Sequence, residues 1–108
     1  MDRTEKVANF LKELSAEFLE RENNGTSLIT VTSSSVSPDL KKATVYITVM
    51  PDEKEKEALE FLKRKRGELR DYFKQNMQTK FIPFVDVQID QGEKNRQKID
   101  ELLKKSKY

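Results

Sequence analysis

Five consecutive residues, Lys63-Arg64-Lys65-Arg66-Gly67, concentrate the chemistry of this chain, and Arg70 stands one helical turn beyond Arg66. Four cations in a row offer point charges and guanidinium forks to an anion, while the glycine bares the backbone beside them. That combination suits phosphates. Lys and Arg neutralise phosphate charge and release counterions, so affinity falls with salt and reads no sequence. Each step along a helix turns by ~100°, so the four cannot all face one ligand. A helical piece expected to start near Glu68 would add free backbone N–H groups aimed at an anion. Lys74 and Lys80 extend the track, and Lys104, Lys105 and Lys107 offer a loose electrostatic tether. The competing reading is a solvated turn paired to Glu60 and Glu68, in which each exposed pair is worth about 0.3–0.5 kcal/mol. Residue types alone leave both open.

Other chemistries find few residues to run on. The chain has no histidine and no cysteine. The usual zinc ligands, the common general base, thiol nucleophiles and disulfides are therefore all missing. No serine has a base to activate it. Asp86 and Asp90 share a strand face, but ~13 Å separates residues four apart on a strand, too far for a two-metal site. No catalytic residue, metal, cofactor or small-molecule substrate is expected, and an enzyme is the least favoured class.

The net charge of +2 over 108 residues conceals an asymmetry. Residues 1–62 carry 8 Lys/Arg against 12 Asp/Glu, a net of −4, whereas residues 63–108 carry 13 against 7, a net of +6. Such a split suggests one basic face. With 35% hydrophobic and 37% charged residues the core must be lean. No run approaches the ~18 apolar residues of a membrane span, and no signal peptide is visible, so the expectation is a cytoplasmic single domain spanning 1–108, frayed over 104–108.

The elements that position the basic run follow from periodicity. Val7, Phe10, Leu11, Leu14 and Phe18 mark one face of a first helix, with Asp2 and Glu5 at capping-box spacing. That helix should end in Glu22-Asn23-Asn24-Gly25, where Asn and Gly suit a left-handed residue. Leu28–Thr32 and Ala43–Met50 read as strands, the second alternating cleanly, joined through Ser37-Pro38-Asp39-Leu40 as a long antiparallel hairpin. The Ser33–Ser35 run reads as a weakly paired strand end. Asp52 and Glu55 repeat the capping spacing before a helix face of Ala58, Leu59 and Leu62. Gly67 marks a kink or a close backbone approach, and the apolar rhythm resumes at Leu69, Phe73 and Met77. Phe81–Asp90 reads as a third strand, with Pro83 at its start or on an edge. Residues 92–105 read as a helix docked by Ile99, Leu102 and Leu103, with Asp90 available as its cap. Tyr46, Phe73, Phe81 and Phe84 are expected in the core, with Tyr72 the aromatic most open to solvent.

Helix, strand, strand, kinked helix pair, strand resembles the type II KH architecture, and the residues are similar to a narrower family. Ser37-Pro38-Asp39-Leu40 followed by Ala43, Val45, Tyr46 and Val49 resembles the S-P-D-L-x-x-A-x-V-Y segment of ribosome-binding factor A. Ile29-Thr30-Val31-Thr32 fits the strand before it. Arg3, Lys6 and Val7 resemble the family's R-x-x-R-V start, and Gly67 with Arg70 its G-x-x-R. Lys80, Pro83, Val85, Val87 and Asp90 follow the spacing of its third strand. The resemblance covers roughly residues 3 to 103. Three departures stand out: Lys65-Arg66-Gly67 replaces the usual Ala-x-Gly kink, an Asp-Pro-Arg stretch after the first helix is replaced by Glu22-Asn23-Asn24-Gly25, and Ser34 stands where a valine is usual.

The resemblance implies an α+β, KH type II-like fold: α-β-β-α-(kink)-α-β, a three-stranded sheet with helices on one face, plus a short C-terminal helix. It implies a non-enzymatic assembly factor that binds the immature 30S ribosomal subunit and its 16S rRNA. Such a factor assists late 16S rRNA maturation as a monomer, with a role in cold adaptation. The residues carried into an RNA-binding role are Lys63, Arg64, Lys65, Arg66, Gly67, Arg70, Lys74, Lys80, Arg3 and Lys6. The rival readings are a KH-like module for other single-stranded RNA, and a protein-interaction domain with a merely solvated basic helix.

Overall fold

In a computed structural model, residues 3–22, 25, 27–79 and 81–105 are described. They form helix α1 (Arg3–Glu22), strands β1 (Leu28–Val36) and β2 (Lys42–Met50), and a 3-10 turn (Asp52–Lys54). Helices α2 (Glu55–Arg64) and α3 (Arg66–Asn76), strand β3 (Phe84–Ile89) and helix α4 (Gln91–Lys105) follow. The fold is α+β and KH-like, with three strands in the order β1-β2-β3.

β2 is the central strand and its alternation organises the core. Ala43, Val45, Ile47 and Val49 point to the helical side and are buried. β1 pairs with β2 antiparallel, and β3 pairs with it parallel through Ala43↔Val85, Val45↔Val87 and Ile47↔Ile89. A parallel pair needs a crossover of a dozen or more residues, which α2 and α3 supply. Leu11, Leu14, Phe18 and Leu19 of α1, Ala58 and Leu62 of α2, and Leu69 and Phe73 of α3 close over Val85 and Val87. The buried stripe of α1 is turned slightly from the expected one. Leu19 joins it, Ser15 lies within it, and Phe10 falls at its margin. Gly25, at φ 80°, provides the left-handed residue after α1, as expected, while Asp2, Asn23 and Asn24 lie outside the described residues.

Several expectations are corrected. The Ser33–Ser35 run is paired strand: Ser33↔Tyr46, Ser34↔Val45 and Ser35↔Thr44 continue β1 after a bulge between Val31 and Ser33. Ser34 lies opposite buried Val45, and its hydroxyl donates to the Ala8 carbonyl of α1, which satisfies a polar group on the core side. Neither the 3-10 turn nor α2 has a side-chain N-cap, so Asp52 does not complete the capping box its spacing suggested. Ile99, Leu102 and Leu103 do not dock; all three are exposed. α4 is instead held at its beginning, where Asp90 accepts the Glu93 N–H at 3.0 Å and Lys94 pairs with Glu55 of α2 at 2.9 Å. Lys104 and Lys105 are helical, and 106–108 lie outside the described residues.

Asp90 also ties the sheet. The bulge lets the Thr32 hydroxyl of β1 donate to the Asp90 carboxylate at 2.6 Å, beyond the end of β3. That bond, followed by the Glu93 and Gly92 N–H groups, holds the Asp90 carboxyl below the usual range.

Two outcomes follow from these contacts. Ser15 is 1% exposed and its hydroxyl has no hydrogen-bond partner among the described residues, so Ser15→Ala should raise stability by about 1 kcal/mol in urea titrations. Asp90, with its lowered folded pKa, contributes stability in full above the unfolded carboxyl value of about 3.9, and loses it as pH falls through the folded value. The stability gap between the wild type and Asp90→Asn should therefore shrink in urea titrations carried below about pH 3.9.

Candidate nucleic-acid interface

The basic run folds as a helix–helix joint. α2 ends at Arg64, α3 starts at Arg66, and Lys65 sits between them at φ −91°, ψ 4°. Its N–H is shared by the Phe61 and Leu62 carbonyls, each at 3.1 Å, and the Leu69 N–H returns to the Lys65 carbonyl at 2.9 Å. The joint therefore bends the path with a single residue, and α3 begins two residues before the Glu68 start expected from the sequence.

The four cations divide into two pairs. The Lys65 ammonium reaches Glu68 at 3.1 Å and Glu22 of α1 at 3.5 Å, and lies 5.7 Å from the centre of the Phe61 ring. Glu68 first, with Glu22 behind it, raises the Lys65 pKa against a partial desolvation. Lys65 thus clamps the last turn of α1 to the joint. Arg66 donates to the Lys63 carbonyl at 3.0 Å and to Asp86 of β3 at 3.3 Å. Lys63 and Arg64 are exposed and have no ion-pair partner among the described residues. Those two present their charge outward.

Gly67 is exposed in the first turn of α3, and a Cβ built on it meets nothing within 4 Å. Neither an unusual backbone conformation nor a close internal neighbour explains the glycine. It leaves bare backbone open to solvent beside Lys63 and Arg64.

Farther along α3, Arg66, Arg70 and Lys74 follow one another at four-residue spacing along one side. Arg70 is partly buried. Its guanidinium donates to the Ile82 carbonyl at 2.9 Å and the Pro83 carbonyl at 3.3 Å, and lies 4.6 Å from the centre of the Phe84 ring. Arg70 and Lys74 line a groove of about 770 Å³ with Arg3 of α1, Leu40 and Lys41 of the β1–β2 turn, and Phe81 and Phe84. Lys6 is exposed on α1 and is not among the groove walls, and Lys80 lies outside the described residues.

Sequence reasoning missed Lys41, whose only signal is that it directly follows the Ser37–Leu40 turn. It also misplaced two aromatics. Phe81 and Phe84, expected in the core, are 74% and 68% exposed. β2 already fills the helical side, and Val85 and Val87 take the core-facing register of β3, which sends Phe84 to the other side. Tyr72, expected to be the open aromatic, is half-buried against Phe18 and donates to Glu17 of α1 at 2.8 Å. The two carboxylates that share a face near the end of β3 are both engaged: Asp86 with Arg66 and the Val87 N–H, Asp90 with Thr32 and α4.

Comparison with known proteins shows the family. A family model described as ribosome-binding factor A matches residues 3–103. The chain belongs to the ribosome-binding factor A family. A ribosome-binding factor A of Macrococcus caseolyticus is 34% identical over 107 residues, covering 93% of this chain and 94% of that one. One from Coxiella burnetii is 28% identical over 106 residues, covering 96% and 89%. Among solved structures, the crystal structure of ribosome-binding factor A from Thermus thermophilus superposes with a TM-score of 0.69 at 21% identity, over 80% of this chain and 94% of that chain. A homology model of the Thermus thermophilus factor, fitted into a cryo-EM map of its 30S complex, gives 0.64 at 22% identity, over 73% and 86%. These structural matches support the KH-like fold.

Because Gly67 has a helical backbone and open space where a side chain would go, Gly67→Ala should raise thermal stability by about 0.5–1 kcal/mol. A loss of stability in a calorimetric melt would mean that the bare backbone serves the fold itself.

Proposed function

We propose that this member of the ribosome-binding factor A family binds the immature 30S subunit in the cytoplasm. There it holds a conformation of 16S rRNA during late maturation and then dissociates, without a covalent step. The outward-facing pair Lys63 and Arg64, beside the bare backbone of Gly67, is the observation that carries this reading. Among the described residues no carboxylate is ion-paired to either side chain, so phosphates meet no such competitor there. Lys65 instead uses its charge inside the fold, where it sets the angle at which the joint is offered. Arg66 and Arg70 keep α3 against β3 and the segment before it. Lys74, Arg3, Lys6 and Lys80 extend the positive surface. The Thermus thermophilus relative fitted into a 30S complex supports the choice of subunit.

The mechanism uses binding free energy alone: a factor that prefers one rRNA conformation shifts the population toward it by the difference in affinity. Within the family reading the protein acts as a monomer and matters most in the cold, where misfolded rRNA states are slow to escape.

Co-sedimentation with purified 30S, 50S and 70S particles across a salt series tests the proposal. Selective recovery with 30S is expected, weakening as salt rises. A Lys63→Ala, Arg64→Ala double variant should keep its melting temperature and reduce the salt slope by about two, roughly one per phosphate contact. No recovery with 30S at low salt would refute the ribosomal reading, and equal recovery with all three would reduce it to a nonspecific basic surface.

A further inference from the structure

The groove at the far end of α3 combines features that a plain phosphate track does not need. Phe84 is 68% exposed, yet it is not loose: the Arg70 guanidinium lies 4.6 Å from its ring centre and is itself fixed by the Ile82 and Pro83 carbonyls. One face of the ring is therefore propped by a cation that has two further partners, and most of the ring remains open to solvent. Phe81, 74% exposed and three residues earlier, also lines the groove. Leu40 also lines the groove, at φ 62°, a left-handed conformation unfavourable for a leucine. The Ser37-Asp39 hydrogen bond and the Leu40 N–H to Ser37 carbonyl bond impose that conformation. An apolar side chain from this turn therefore lines the groove beside the aromatics.

Charge decides between occupants. The rim carries Arg3, Lys41, Arg70 and Lys74 against Asp39 and Asp71. Asp39 is already occupied by the Ser37 hydroxyl and the Lys41 N–H, which hold its carboxyl below the usual range. A propped aromatic face under a ring of cations fits a nucleotide, whose base is flat and apolar and whose phosphate is anionic. A basic peptide would meet a rim on which cations outnumber carboxylates.

We infer that this groove is a second RNA subsite, which takes an unpaired nucleotide with its base stacked on Phe84 and its phosphates toward Lys41 and Lys74. The inference rests on the RNA-binding reading and deepens it: the joint at Lys63 and Arg64 contacts backbone, whereas the groove requires a base that has left its stack. Base–aromatic stacking is tolerant of sequence because every base has a π-face. The subsite therefore selects single-stranded rRNA and not a particular letter. Arg70 acts as a positioning residue, holding the ring and the segment before β3.

The test uses the full chain and two fluorescein-labelled RNA probes, an adenosine octamer and an abasic octamer with the same number of phosphates, read by fluorescence anisotropy. The wild type should bind the adenosine octamer about tenfold more tightly than the abasic one. Phe84→Leu, which keeps an apolar side chain but removes the π-face, should abolish that discrimination without changing the salt slope. Phe84→Trp should restore it, and circular dichroism melts check that both variants fold. Lys74→Ala should lower affinity for both probes alike and reduce the salt slope. Equal binding of the two probes by the wild type would overturn the inference. So would Phe84→Leu losing co-sedimentation with 30S while keeping base discrimination, which would assign the groove to a protein partner. The Lys63→Ala, Arg64→Ala sedimentation series judges the ribosomal reading separately. Intact 30S selectivity with no base discrimination removes the subsite alone, and base discrimination without 30S recovery removes the ribosomal assignment alone.

Discussion

The parallel pairing of β2 with β3 governs everything outside the sheet. Antiparallel β1 and β2 need only the short turn at Ser37–Leu40, but β3 must start beside Lys42, at the far end of β2 from the residue where β2 stops. The chain has to travel the length of the sheet before it can pair again. α2 and α3 make that journey, and because Ala58, Leu62, Leu69 and Phe73 must all face the same core, two helices at an angle follow the sheet better than a single straight rod. The joint at Lys65 lies where this path bends. Its place on the crossover is a consequence of strand direction.

A basic surface is often read as a count of lysines and arginines, yet the cations here have different duties. Lys65 joins α1, α2 and α3 through Glu22, Phe61 and Glu68; Arg66 and Arg70 fasten α3 to β3 and the segment before it. Exposed ion pairs are individually worth about 0–1 kcal/mol, so their effect is to orient and not to stabilise. Lys63, Arg64 and Lys74, which have no ion-pair partner among the described residues, are presented on a frame the others have set. Lys65, where the family resemblance leads one to expect alanine, adds a clamp to α1 through Glu22.

Most elements were legible because one face of each is buried and the other is not. β2 alternates along its whole length, and Leu69 and Phe73 mark α3 at helical spacing, although the helix ends at Asn76, before Met77. The reading failed where that contrast is absent. Ser33–Ser35 has no apolar alternation, since the hydroxyl of Ser34 is satisfied by a carbonyl of α1, an arrangement composition cannot show. Ile99, Leu102 and Leu103 are spaced like a docking face, but the sheet's helical side is already filled by α1, α2 and α3. Phe84 looks like a core residue until the register of β3 gives the inward positions to Val85 and Val87, and Phe81, expected in that strand, lies before it begins at Phe84. At the joint, spacing located the charges but not their partners. Glu22 lies 43 positions from Lys65 in the sequence of 108 residues, a separation that no local pattern encodes.

β1 is an edge strand, and an edge of unpaired N–H and C=O groups is a template on which another chain can extend the sheet. The bulge between Val31 and Ser33 divides this nine-residue strand into two separate registers, Leu28–Val31 and Ser33–Val36. A second molecule approaching the open side finds its ladder broken in the middle and twisted there. The geometry that sends Thr32 across the sheet to Asp90 therefore also guards this lean, highly charged domain against edge-to-edge aggregation.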